Sequence, residues 1–99
     1  MEAQQKSIAQ LAFEFYLKNK GCSEYTEDGN ESTVFDYSRR IMRICKEEGY
    51  DSLDSFVISL VKNIRSLNEG AAELPGGTKI DKNDKSALNK FVEFYCVIN

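Results

Sequence analysis

The sequence predicts an all-α chain, a compact, partly orthogonal cluster of four helices forming one domain over residues 1–99. Three observations carry that prediction. Apolar residues recur at three- and four-residue spacing in four separate segments. The 99 residues contain a single proline, Pro75. Glycines at 21, 49 and 70 stand just past the periodic stretches, where a helix needs a left-handed residue to stop.

The first helix is predicted over roughly residues 4–20. Ile8, Leu11, Ala12 and Phe15 share one side, and Phe13, Tyr16 and Leu17 widen it into a broad apolar arc suited to more than one neighbour. Residues 21–31 follow as an acidic loop with Glu24, Glu27, Asp28 and Glu31 and no basic residue. The alternating Asp/Asn ligands of a calcium loop are missing, so a solvated loop is expected.

The second helix is predicted over 33–48, opened by a capping box from Thr33 to Asp36, with Val34, Tyr37, Ile41, Ile44 and Cys45 as its apolar stripe. The third, over 52–68, carries Leu53, Phe56, Val57, Leu60, Val61, Ile64 and Leu67 against a polar side of Ser55, Ser59, Lys62, Asn63 and Ser66. Pro75-Gly76-Gly77 then marks a turn, and Thr78-Lys79-Ile80 suits a short extended piece. The fourth helix is predicted over 84–98, with Ala87, Leu88, Phe91, Phe94, Tyr95 and Ile98 as its apolar set. Loops of about ten residues favour an irregular cluster over a regular up-and-down bundle.

Composition bounds the function. The hydrophobic fraction of 41% and charged fraction of 29% are those of a globular domain, and there is room for one modest core. The formal charge of −3 is unevenly spread. Residues 1–33 hold three lysines against six acids, whereas residues 34–68 hold six basic residues against five acids. Cys22, Cys45 and Cys96 are too widely spaced for a zinc site, and there is no histidine to complete one. Cys45 and Cys96 fall in apolar patterns and read as packing residues; Cys22 reads as a loop thiol. An odd, scattered set suits a reducing compartment. The N-terminus, MEAQQKS, lacks a cationic start and apolar run, and no apolar stretch approaches a membrane span. A soluble, cytoplasmic protein is expected.

Catalytic equipment is thin. The absent histidine removes the commonest general base, no phosphate-binding glycine motif occurs, and no partner is evident to activate a cysteine. The chain is expected to be non-enzymatic, with no catalytic residue, metal or cofactor.

The basic residues form the pattern with most chemical content. Arg39, Arg43 and Lys46 are spaced i, i+4, i+7, which aims them off one face of the second helix, with Arg40 close by. Lys62 and Arg65 do the same on the third. Lys79, Lys82 and Lys85 cluster ahead of Asn89. Long cations on a rigid helix suit phosphates, and an amide among them can reach a base edge. The same cations also suit an ordinary solvated face, and Glu47, Glu48, Asp81 and Asp84 dilute their field.

A family resemblance bears on that choice. Ser32-Thr33-Val34 with Tyr37, then an apolar-patterned helix ending Cys45-Lys46-Glu47-Glu48-Gly49, resembles the opening of the core-binding domain of tyrosine recombinases and phage integrases. Tyr50-Asp51-Ser52-Leu53-Asp54 is similar to that family's turn into its next helix. Lys85-Ser86-Ala87-Leu88 through Phe94-Tyr95 looks like its final helix, and the aromatics Phe13, Phe15 and Tyr16 fit its leading one. The resemblance spans most of the chain through degenerate positions. It implies a SAM-like four-helix cluster forming one half of a clamp around double-stranded DNA. Carried over by position, it implies DNA contacts by Arg39 and Arg43, and by Lys82, Lys85 and Asn89; with Lys46 from the helical pattern, these six are the predicted DNA-binding set. The family's catalytic chemistry belongs to a separate domain. The competing expectation is an acidic helical module, of phage or mobile-element type, that docks on a protein partner. A basic concave face would favour DNA, and an exposed apolar patch would favour the protein.

Overall fold

A computed structural model describes residues 7–98, with side chains placed through residue 96. It is an all-α cluster of four helices, α1 (Ile8–Asn19), α2 (Thr33–Glu47), α3 (Leu53–Asn68) and α4 (Lys82–Ile98). Its principal extents of 35 × 31 × 27 Å are nearly equal, unlike those of a long bundle.

Each helix begins where a side chain or chain geometry supplies a partner for its first N–H groups. Ser7 is extended and its hydroxyl accepts from Gln10 N–H at 3.1 Å, so α1 starts at Ile8; residues 4–6 of the predicted segment lie outside the described residues. Ser52 caps α3 in the same way, accepting from Ser55 N–H at 3.2 Å. The capping box expected from Thr33 to Asp36 does not form. The N-cap of α2 is Ser32, which makes no side-chain cap bond; its hydroxyl accepts instead from the Ser23 hydroxyl at 2.9 Å. Asp36 turns one turn onward to Arg40.

The three glycine stops form as the sequence implies. Gly21, Gly49 and Gly70 have φ of 91°, 86° and 115°. At each, the following N–H reaches back to a carbonyl five residues earlier: Cys22 to Leu17, Tyr50 to Cys45, and Ala71 to Ser66. The glycine N–H bonds the carbonyl three residues back in every case, completing a Schellman motif.

The core lies where α4 packs against both α2 and α3, and α1 packs against all three. Phe91 is its centre. Its ring meets Phe13 edge-on at 5.2 Å and stacks with Phe56 at 6.3 Å, which ties three helices through one side chain. Leu17, Val34, Ile41, Ile44, Leu60 and Leu88 are among the buried residues around it. The Tyr16 hydroxyl donates to the Glu93 carboxylate, a polar tie between α1 and α4.

Two details differ from the sequence reading. The side of α1 that enters the core holds Phe13 and Leu17, with Ala9, Ala12 and Tyr16 packed at its margin. Ile8, Leu11 and Phe15 face outward, at 86%, 51% and 63% exposure. Cys96, expected to pack, is exposed, and Cys22 is half-buried.

The 70–81 loop is also more ordered than its glycine content suggests. Glu73 and Lys79 form an isolated antiparallel bridge, closed by Leu74 N–H to Thr78 O at 3.0 Å and Gly77 N–H to Leu74 O at 2.8 Å. Leu74 and Ile80 enter the core. Glu48, at the end of α2, accepts from the N–H groups of Gly76 at 2.8 Å and Thr78 at 3.1 Å. A Cβ at Gly76 would meet that carboxylate at 2.5 Å, so the glycine is what lets it approach.

Candidate functional site

The sequence directs attention to the outer face of α2 and the start of α4, and the structure joins them through one residue, Asp84. Asp81 precedes α4 and its carboxylate accepts from Asp84 N–H at 2.7 Å; Asp84 in turn accepts from Asp81 N–H at 3.1 Å. This reciprocal box starts the helix at Lys82, two residues before the predicted start. No Ser/Thr pattern announces it, although an Asp-x-x-Asp spacing is present in the sequence.

Asp84 is only 2% exposed, and two arginines neutralise it. Arg40 reaches one carboxylate oxygen at 2.8 Å and Arg43 reaches the other at 2.9 Å. Arg40 also donates to Asp36 at 2.9 Å and approaches Asp81 at 3.4 Å. Burial pushes the Asp84 carboxyl up, but hydrogen bonds from Arg40, the Asp81 backbone and Arg43 outweigh it and hold the group below the usual carboxylate range. The same bonds, from Asp84 first and then Asp36, raise Arg40 above the ordinary arginine value despite its partial burial. Arg40 stood beside the predicted set, not in it, yet it is the most engaged cation of the group.

The six predicted residues do not form one surface, so the basic concave face expected for DNA is not formed by them. Ile8, Leu11 and Phe15, by contrast, form the kind of exposed apolar patch expected for a protein partner. Arg39 pairs with Glu31 of the acidic loop. Arg43 is held by Asp84, with Glu47 4.0 Å away. Lys46 lines a different groove, with Ile8, Met42 and Leu53. Lys82, Lys85 and Asn89 share a face of α4 by their i, i+3, i+7 spacing, but that face is turned roughly 130° from Asp84 and hence from α2. Asn89 does not present a free amide. It donates to Asn68 Oδ1 at 2.9 Å and accepts from Asn68 Nδ2 at 3.0 Å, a reciprocal pair between α3 and α4. It also donates to the Lys85 carbonyl at 2.8 Å.

Three lysines remain open to a ligand on two sides of the α4 start, Lys79 on the α2 side and Lys82 and Lys85 on the face turned away from it. Lys79 and Lys82 are exposed and Lys85 is half-exposed, and none has a carboxylate partner among the described residues. Of the two acids that interleave with them in sequence, Asp84 is buried with the α2 arginines, and Asp81 caps α4 and approaches Arg40 while its side chain stays exposed. Lys79 shares a shallow depression with Arg43, Glu47 and Asp81. Among the described residues no three His, Cys, Asp or Glu side chains converge to hold a metal ion, and no helix is long and apolar enough to cross a membrane. Compared with protein-family models, with curated proteins and with solved structures, the chain has no match in any of the three.

Proposed function

We propose that this chain is a non-catalytic helical module that docks on the phosphate backbone of double-stranded DNA through Lys79, Lys82 and Lys85. One observation carries the reading: Asp84, which stands between these lysines in sequence, is buried under the α2 arginines, whereas Lys79 and Lys82 are exposed and Lys85 is half-exposed, with no carboxylate partner among the described residues. The resemblance of the sequence to recombinase core-binding domains, carried by Phe13, Phe15 and Tyr16 as well as by residues from Ser32 onward, points to the same ligand.

The chemistry is phosphate recognition with little base readout. Ammonium groups are point donors that follow backbone charge, and the amide most suited to an adenine edge, Asn89, is committed to Asn68. Arg40 and Arg43 serve the reading by orienting the start of α4 through Asp84, not by touching DNA. Affinity on an acidic chain is expected to be weak and strongly salt-dependent.

Fluorescence anisotropy with a labelled duplex, at low and at moderate salt, tests the proposal. Three phosphate contacts predict a slope of log K against log salt of about −3. The triple variant Lys79→Glu, Lys82→Glu, Lys85→Glu should abolish binding, and Arg39→Glu should change it little. No binding at low salt, or binding indifferent to the triple reversal, would refute it.

A further inference from the structure

The groove beside Lys46 is a second surface, remote in character from the three lysines. It has a volume of about 490 Å³ and lies between the amino end of α1, the carboxyl end of α2 and the start of α3. Its apolar lining includes Ile8, Met42 and Leu53. Its polar rim is asymmetric: Asp51 and Asp54 stand on the α3 side, with no ion-pair partner among the described residues, and Lys46 stands across from them. From Ile8 the apolar surface continues along α1 to Leu11 and Phe15, which share its face over two turns, roughly 10 Å. Those three side chains average well over half exposed, on a helix whose other side is fully occupied by core.

We infer that this groove and the α1 stripe receive an amphipathic helix of a protein partner, with its apolar face on Ile8, Leu11 and Phe15 and a lysine or arginine over Asp51 and Asp54. Charge complementarity selects that occupant. The two carboxylates at the α3 end, with no ion-pair partner among the described residues, repel phosphate and favour a cationic side chain, and the net charge of −3 steers the whole chain toward a basic partner. The apolar stripe supplies the contact area that a purely ionic contact lacks, in the helix-in-groove mode with anchors at i, i+3 and i+7. A second copy of this chain is a poorer occupant. Two copies of a chain of net charge −3 would meet like to like, with no cation facing Asp51 and Asp54 from the same apolar stripe. The inference does not rest on DNA binding, because it uses none of the three lysines.

The test uses the full chain, isotopically labelled for amide NMR, and two synthetic 18-residue helical peptides. Both carry a leucine face; one has a lysine polar face and the other a glutamate polar face. The lysine peptide is expected to shift the amides of Ile8, Leu11, Met42 and Leu53 and to bind at least tenfold more tightly than the glutamate peptide at low salt. Asp51→Asn with Asp54→Asn should erase that preference. Ile8→Ser with Phe15→Ser should erase binding while leaving the helical circular dichroism unchanged, since both side chains lie outside the core. Lys82→Glu should leave peptide binding intact even if it removes DNA binding. Equal affinity for the two peptides, shifts confined to other residues, or self-association through the same amides without peptide would each overturn the inference.

Discussion

Replacing Asp84 by alanine tests the centre of the structural account. The carboxylate does two jobs, and each has a cost when lost. Its acceptance of the Asp81 N–H is half of the box that starts α4, worth about 1 kcal/mol. Its pairing with Arg40 is the larger part. Removing one member of a buried ion pair costs about 3–5 kcal/mol when the other is stranded, but Arg40 keeps Asp36 at 2.9 Å, so about half of that is expected. Arg43 is close to half exposed and can turn to water, adding about 0–1 kcal/mol. The sum is about 3 kcal/mol, a large share of the stability of a domain this size. Melting should fall by roughly 10–20 °C, and the urea midpoint should fall with an unchanged slope.

The pH dependence gives the same experiment a second edge. Asp84 titrates below its unfolded value of about 3.9, so in that range the unfolded chain binds more protons than the folded one. The advantage of wild type over the alanine variant should be complete above about pH 5 and should shrink as the pH falls through the folded-state pKa. Asp84→Asn, which keeps an acceptor for the Asp81 N–H, should lose about half as much as alanine. A loss below about 1 kcal/mol at neutral pH, or one that stays constant down to about pH 3, would refute the assignment of Asp84 as the ionised link between α2 and α4.

Other substitutions separate the remaining features. Phe91→Ala should cost about 3–5 kcal/mol in urea unfolding, because one ring contacts aromatics of both α1 and α3. Glu48→Ala should speed amide exchange at Gly76 and Thr78 selectively, as both N–H groups lose their acceptor. Leu11→Ser should change unfolding stability by only about 0.5 kcal/mol, in contrast to Leu17→Ser, whose side chain is wholly buried.

Helices were the most legible part of the sequence. Their existence follows from apolar spacing, and their ends at Gly21, Gly49 and Gly70 from the one residue that tolerates the left-handed turn. Starts were less legible, because several side chains can satisfy an early N–H and the sequence does not say which wins. Thr33 and Asp36 have the spacing of a box, yet Asp36 bonds Arg40 instead, whereas Asp81 and Asp84 form a box without a Ser or Thr to announce it. On α1, periodicity placed apolar residues over a broad arc without saying which part of it meets the core; packing chose Phe13 and Leu17 and left Phe15 outside. The basic residues show the deepest limit. Spacing put Arg39, Arg43 and Lys46 on one helical face correctly, but only the fold shows that an aspartate 41 positions away would claim Arg43, and that Asn68 would claim Asn89.

Asp84 and Asn89 lie five residues apart on α4 and grip different neighbours, one on α2 and one on α3. Five residues correspond to about 140° around a helix, so the pair acts as a two-point key for the rotation of α4 about its axis. A single-residue insertion between them would swing one grip by about 100° and could not satisfy both. Lengthening the 24–31 loop leaves that key untouched. Tags, reporters or circular-permutation joints therefore belong in that loop, whereas the stretch from Asp81 to Asn89 should tolerate substitution on its outer face but no change of length.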